Sequence, residues 1–514
     1  MQTYRNRRGR AFGIGLTLVF LAGCASVPLD YPRTPSSALG DTETTELATQ
    51  SAAWLSGGSH PNGFYPLEQG LDAFGGRLTL IDLAEKSIDA QYFLMKPDSA
   101  GYVFSSKLLE AADRGVRVRF LLDDIFTTVD DSWLILMNEH PNVEIRIFNP
   151  IARDGIYAFN YLGHFKLANR RMHNKSFIVD NQAAIVGGRN IAEEYFQLDT
   201  TGEFIDFDML LAGPIVGDVS AEFDRYWNHE LAVPMQALYE PDQARGLAEK
   251  KHAFDERIAE ESDSIYARAI HTNLMHDLND GSIRPYFAEA RVIRDDPDKL
   301  LTAVSDDQKV VAMELRKALL NAEEEVLVFT PYFIPGETGI ETIKEVTAKG
   351  VRIVLVTNSL ATNNHTSVHS AYAGYRKRLL DAGVELWEAR ADAAKVINDD
   401  GTTELDQLTL HTKGMIIDRR YTFVGSLNLD PRSIDINTEM GILINSTELA
   451  SQLAESSIRD IPGMAYRVVY GDDGNLEWHA TIDGREVVET REPQTTGWQR
   501  FKAWFLKILP EGQL

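Results

Sequence analysis

One cysteine, Cys24, stands among 514 residues, so an intrachain disulfide is excluded. The chain also lacks a run of the ~20 apolar residues that a membrane-crossing helix needs. Basic residues are scarce: 51 Lys and Arg face 76 Asp and Glu, a formal net charge of −25. Four of those basic residues (Arg5, Arg7, Arg8, Arg10) crowd into the first 23 positions, which hold no acid, leaving 47 against 76 for the rest. So acidic a surface repels nucleic acid, whose binding rests on neutralising phosphates with Lys and Arg. No nucleic-acid partner is expected. Anionic lipid headgroups are repelled too, unless something tethers the chain locally.

The arginine-rich start is followed by a short apolar stretch, Ala11 to Phe20, and then by Leu21-Ala22-Gly23-Cys24. That order fits a signal peptide over residues 1–23. Its ending resembles the lipobox of bacterial lipoproteins, which implies acylation of Cys24 after cleavage and a place in the bacterial cell envelope, facing the periplasm. Ala25 rather than Asp after the cysteine implies, by the same resemblance, the outer membrane over the inner. Residues 24–58 are rich in Pro, Ser, Thr and Gly and read as a flexible, lipid-anchored tether.

Two stretches organise the rest of the chain. His173-Asn174-Lys175-Ser176-Phe177-Ile178-Val179-Asp180 and His411-Thr412-Lys413-Gly414-Met415-Ile416-Ile417-Asp418 share the pattern His-x-Lys-x4-Asp, and Asn190 and Asn428 each follow their histidine by 17 residues. Tyr92 and Tyr332, Gly115 and Gly350, and the two histidines repeat at offsets of 240, 235 and 238. A near-constant offset across successive elements argues for internal duplication. Strand and helix patterns alternate in both halves, which predicts an α/β fold with mixed, largely parallel sheets. Residues 59–240 form the first half, 241–300 a charged helical connector, 301–470 the second half and 471–514 a C-terminal extension.

Residues i and i+2 of a strand share a face, so His173 projects with Lys175 and His411 with Lys413. Bringing the halves together places two imidazoles, two ammonium groups and two amides around one point. Such a site suits a phosphodiester: one imidazole attacks phosphorus and the other protonates the leaving alcohol. Lys175, Lys413, Asn190 and Asn428 are placed to hold the non-bridging oxygens. Asp180 and Asp418 stand where each strand turns into a hairpin, a structural position. Each histidine also needs a carboxylate to orient it. Asp206, 33 residues after His173, and Glu439, 28 after His411, are the candidates, with Asp208 the alternative in the first half. A metal site is not expected, because Lys is not a normal ligand and neither motif carries a Cys-x-x-Cys or His-x-x-x-His pattern. No cofactor is expected. His365 and His369 lie beyond a strand end, where α/β folds place ligand contacts, but a structural role is the simpler reading.

The duplicated motif resembles the phospholipase D superfamily. That resemblance implies a duplicated fold of two mixed β-sheets flanked by helices, with one active site at the interface of the halves. It also implies metal-independent chemistry through a phosphohistidine, with His173 as nucleophile and His411 as acid and then base. Thr330-Pro331-Tyr332-Phe333-Ile334-Pro335-Gly336, Thr357-Asn358-Ser359-Leu360 and Pro510-Glu511-Gly512-Gln513-Leu514 further resemble the C-type bacterial cardiolipin synthases. Such an enzyme moves a phosphatidyl group, from phosphatidylethanolamine in the C type, onto phosphatidylglycerol. A hydrolytic phospholipase D, a nuclease and a non-catalytic envelope lipoprotein are the alternatives; charge opposes the nuclease, and two intact motifs oppose the binding module. The residues name no protein partner. The extension ends in a helical pattern that puts Trp498, Phe501, Trp504, Phe505, Ile508 and Leu509 on one face, with Arg500 and Lys507 opposite. Two readings stay open for it: a helix at the membrane interface, or one docking its aromatic face on the core.

Overall fold

In the computed structural model the described residues are 29–153, 168–198, 202–238, 247–279, 281–301, 304–393, 396–397, 403–404, 407–482 and 484–508. The expected signal segment and Cys24 lie outside them. Two large sheets, of nine and ten strands among the described residues, carry the architecture. Six neighbouring strands of the first are Val143–Phe148, Arg117–Asp123, Ser87–Tyr92, Ser176–Val179, Ala183–Gly187 and Asp208–Ala212. Six of the second, in the same spatial order, are Glu385–Ala389, Arg352–Asn358, Glu325–Phe329, Gly414–Ile417, Tyr421–Gly425 and Met440–Asn445. In each set the first three are parallel to one another and the rest antiparallel. The duplication in the sequence is thus a duplication of topology.

The strands read as near-continuous apolar runs because both faces of each sheet are covered. In Arg117–Asp123, Phe120 and Leu122 face a core shared with the helices Gly70–Leu83 and Ser99–Asp113, while Leu121 faces the other way. There it joins Ile178, Val186 and Met209 of the first half and Leu327, Val354, Ile416 and Ile442 of the second in one apolar cluster. The two sheets therefore pack on each other through a common core.

Each motif strand ends in a tight hairpin. Asp180 and Asn181 have φ of 50° and 51°, and Asp418 and Arg419 have 52° and 48°. Two successive left-handed residues twist the turn to match the strands. The Asp180 carboxylate accepts hydrogen bonds from the backbone N–H groups of Glu85, Lys86 and Ser87 (3.0, 2.8 and 2.8 Å). Asp418 does the same for Glu323, Glu324 and Glu325. Both aspartates thus pin the hairpin to the start of a neighbouring strand.

Three boundaries differ from expectation. The tether does not extend over 24–58: from Arg33 on, the chain is laid against the first half. Arg33 donates to the carbonyls of His229, Glu230 and Ala232 (3.0, 2.8 and 2.9 Å). Glu46–Trp54 is a helix capped by Thr45 that buries Leu47 in the core. Its Pro and Ser content reflects an extended wrapping segment whose polar groups are met by the body. The connector is also more than a solvated helix. Leu247–Ile270 packs on the first half through Phe254, Ile265 and Ala269. Tyr286–Phe287 then adds a strand to the first sheet and Glu289–Arg294 one to the second, so the handover falls at Ala288. Finally, the extension is continuous with the second half, since Ala465–Tyr470, Leu476–Ile482 and Arg485–Glu489 complete its sheet.

Because Asp180 is fully buried and Asp418 only half-buried, the twin positions should respond unequally to truncation. Asp180→Ala leaves the buried Ser87 N–H unmet and is expected to cost about 2 kcal/mol, against about 1 kcal/mol for Asp418→Ala, whose donors are more exposed. Urea unfolding of the two variants measures the difference; equal losses would contradict it.

Candidate active site

Each motif enters its strand by way of the opposite half. Met172 bridges Thr438 in parallel, and His173 N donates to Thr438 O (3.0 Å). Gln407–Leu410 pairs in parallel with Gly202–Ile205, and His411 N donates to Ile205 O (2.7 Å). His-x-Lys is therefore not inside the strand of its own sheet, as the sequence suggested, but in the extended approach to it; Ser176 and Gly414 begin the strands. Their opposite neighbours are Gln91 and Phe329, near the C-terminal ends of parallel strands. That end is where α/β sheets collect ligand-binding groups.

The orienting acids cross over. Asp206, from the first half, lies 2.5 Å from Nδ1 of His411. Glu439, from the second, lies 2.9 Å from Nδ1 of His173. Both acids proposed from the sequence are at the site, but each serves the histidine of the other half. Asp208 does not reach it: a buried pair with Arg77 (2.9 Å) engages its carboxylate. With Nδ1 held by a carboxylate, Nε2 of His173 is left to face substrate, while Nε2 of His411 is met by Lys413 Nζ (3.1 Å).

The twins are not identical. Ser426 donates to Glu439 Oε2 (2.5 Å). The matching residue of the first half is Gly188, where a Cβ would stand 2.1 Å from Asp206 Oδ1. Electrostatics differ in step with this. Burial drives Glu439 up to about 7 against the pull of Lys175. Burial acts on Asp206 too, but Lys413 and His411 outweigh it and hold that carboxylate below its ordinary value. Burial, then Lys175, Lys413 and Arg432, keeps His173 well below the usual imidazole range. Burial and Lys413 bring His411 down to about 3. Burial lowers Lys175 to about 7 and Lys413 to about 8. The free site thus holds neutral imidazoles and two easily deprotonated amines.

Lys175 donates to its neighbour's carbonyl, His173 O (2.6 Å). Lys413 lies 2.7 Å from His411 Nδ1 and 3.1 Å from Nε2. The two amides diverge. Asn190 is engaged, donating to Tyr195 Oη (3.0 Å) and accepting from Leu94 N (3.3 Å). Asn428 is buried with its Oδ1 unpartnered among the described residues. Residues that sequence reasoning missed are mostly aromatic: Phe204 stacks on His411 (5.1 Å), Tyr195 meets it edge-on (5.1 Å), and Phe93 meets His173 (4.8 Å). They pack against the imidazoles; only Phe204, two residues before Asp206, carried a positional hint. His369 is structural, buried beside Arg376 (3.2 Å). His365 packs edge-on against the Tyr332 ring, with centroids 5.5 Å apart.

Paired imidazoles, each fixed by a buried carboxylate and flanked by an amine, define a centre for phosphoryl-group transfer between oxygen atoms. Comparison with known proteins agrees. The family described as cardiolipin synthase, PLD-like domain, matches residues 78–227 and 315–461, one stretch in each half. The chain is 35% identical over 456 residues to cardiolipin synthase C of Escherichia coli, covering 88% of this chain and 96% of that one. It is 24% identical over 402 residues to a cardiolipin synthase of Oceanobacillus iheyensis, covering 78% of this chain and 69% of that one. Among solved structures, phosphatidylserine synthase of Haemophilus influenzae matches 81% of this chain and 91% of its own with a TM-score of 0.53 at 14% identity, which shows a shared fold. The chain belongs to the cardiolipin synthase family of phospholipase D-like proteins.

Anion binding should be coupled to proton uptake here. Both lysines are partly neutral near their lowered pKa values, an anion favours their charged forms, and binding therefore raises those pKa values. Titration of sulfate at about pH 8 is expected to take up about one proton, with affinity falling as pH rises from about 7 to about 9. Calorimetry in buffers of different ionisation enthalpy reads this directly; no uptake would contradict it.

Proposed function

We propose that the protein makes cardiolipin by transferring a phosphatidyl group to phosphatidylglycerol, with phosphatidylethanolamine as donor. The crossed carboxylate–imidazole pairs carry the reading. Nε2 of His173 attacks phosphorus while the P–O bond to the donor headgroup breaks. Once Lys413 is drawn off its ring by the bound phosphodiester, His411 takes up a proton from solvent at Nε2 and gives it to the departing alcohol oxygen. A glycerol hydroxyl of phosphatidylglycerol then passes its proton to His411 and attacks phosphorus, and the N–P bond breaks. Asp206, held ionised, suits His411 to the proton-holding role, since a carboxylate stabilises the imidazolium that forms. The phosphodiester recruits both ammonium groups, draws Lys413 off the His411 ring and so restores that ring's basicity. Asn428 is assigned to the phosphate through its amide NH2, the donor end of the group. Phe93, Phe204 and Tyr195 limit the access of water, which favours an alcohol as acceptor over hydrolysis.

The same reading places the chain in the cell envelope, facing the periplasm and anchored through an acylated Cys24 at the outer membrane. Cys24 and the clamped Arg33 are nine positions apart, a short leash that keeps the site close to its lipids.

Incubation with phosphatidylglycerol vesicles in chelator, with and without phosphatidylethanolamine, should yield cardiolipin that rises with phosphatidylethanolamine. His173→Ala or His411→Ala should lower the rate by at least ~1,000-fold without unfolding the protein. Phosphatidic acid as sole product would establish the hydrolase instead. Incorporation of radiolabelled palmitate, lost in Cys24→Ser, tests the anchor; equal labelling of the variant would remove it.

A further inference from the structure

The helix Gly497–Leu506 turns its aromatic face outward. Ala503 is its buried residue and packs toward the helix Thr366–Tyr372. On the far side, Trp498, Phe501, Trp504 and Phe505 are 70, 50, 65 and 55% exposed, and Ile508 comes next at 80%. Of the two readings open from the sequence, docking of this face on the core is therefore overturned: at about 100° per residue the apolar arc is centred opposite Ala503. Phe501 links the patch, with ring centroids 5.5 Å from Trp498, 5.9 Å from Trp504 and 6.4 Å from Phe505. Exposed rings grouped in this way mark an interaction surface.

Its surroundings say what it meets. In a chain of net charge −25, no acid stands between Glu492 and Glu511, while Arg500, Lys502 and Lys507 do. Tryptophan and phenylalanine beside exposed lysines match a bilayer interface carrying anionic headgroups. The helix is also held firmly. Thr496 and Gln499 form a capping box. Glu492, just upstream, is gripped by the buried Arg376 (2.6 Å). Gln494 accepts from Ala391 N (2.8 Å), two residues beyond the end of the strand Glu385–Ala389. The helix Thr366–Tyr372 comes after the C-terminal end of Arg352–Asn358. Both supports lie at the end of the second sheet where Asn358 clamps Leu410, donating to its carbonyl and accepting from its N–H (2.8 and 2.9 Å), next to His411.

We infer that Gly497–Ile508 is a membrane-docking element that seats the active-site end of the second half on a bilayer containing anionic phospholipid. This deepens the proposed function, on which it rests: two substrates embedded in a bilayer must enter a buried site, and a rigid aromatic foot at that end orients the entrance toward them.

The test uses the full chain and vesicles of phosphatidylglycerol and phosphatidylethanolamine, with bromine on the acyl chains of the phosphatidylglycerol to quench nearby tryptophan. Intrinsic emission should fall with wild type. The fall should be largely abolished in Trp498→Phe/Trp504→Phe, which keeps the apolar face but removes the reporters. Phe501→Asp/Phe505→Asp should leave the thermal midpoint unchanged yet reduce both quenching and turnover on vesicles by ~10-fold or more. Quenching should persist in His173→Ala, so docking is read separately from catalysis; persistent quenching with no lipid product from wild type would sustain the docking surface while removing the activity. Equal quenching in wild type and Trp498→Phe/Trp504→Phe would overturn the inference. So would burial of the two tryptophans in a lipid-independent dimer that forms with rising protein concentration.

Discussion

Two short contacts between the halves hold the chemistry together: Asp206 on His411 and Glu439 on His173. Each imidazole is positioned by a carboxylate from the other repeat, so neither half contains a complete orienting unit. Parallel pairing of Gln407–Leu410 with Gly202–Ile205, and the bridge of Met172 to Thr438, deliver the backbone to these contacts. The shared apolar core between the sheets keeps the registers from sliding. A displacement of the halves by one strand position would separate both pairs at once, which ties activity to the whole interface rather than to the motifs alone.

Burial is the second constraint. Six ionisable groups sit nearly out of water at this interface, and their pKa values move in opposite directions. Amines and imidazoles fall, Glu439 rises, and Asp206 alone stays low because Lys413 and His411 outweigh its desolvation. A site poised in this way accepts an anion with its protons and needs no resident cation in the proposed scheme. The inequality between the twins has a steric origin at Gly188 and Ser426. Where glycine stands, Asp206 lies hard against the backbone. Where serine stands, its hydroxyl holds the longer glutamate.

On the proposed reading, segments away from this centre bring an acidic body to lipid. Residues from Arg33 to Trp54 wrap the first half, and the basic aromatic helix juts from the second. The helix is an exception to the acidic composition of the chain, with Arg500, Lys502 and Lys507 and no acid among residues 497–508. As a docking foot, that helix would meet the bilayer at the end of the sheet where the histidines gather.

Much was legible in the order of residues because it is periodic. The offset near 238 announced the duplication, and the identical 17-residue spacing picked out His173, Lys175, Asn190 and their counterparts. Hairpin aspartates were recognisable because a turn comes directly after them along the chain. Asp206 and Glu439 could be named from their place before apolar strands. Their exchange of partners could not, because a pattern counted along one repeat says nothing about which repeat lies opposite. Likewise the wrapping of 33–58 and the split connector depend on hydrogen bonds to groups about 190 to 230 residues away. An amphipathic helix has the same sequence whether its apolar face is covered or bare, and packing of Ala503 alone chose between them. Local spacing determined the repeat, the motifs and the chemistry they suit; only the tertiary structure decided who pairs with whom, because pairing across two halves is a matter of distance in space.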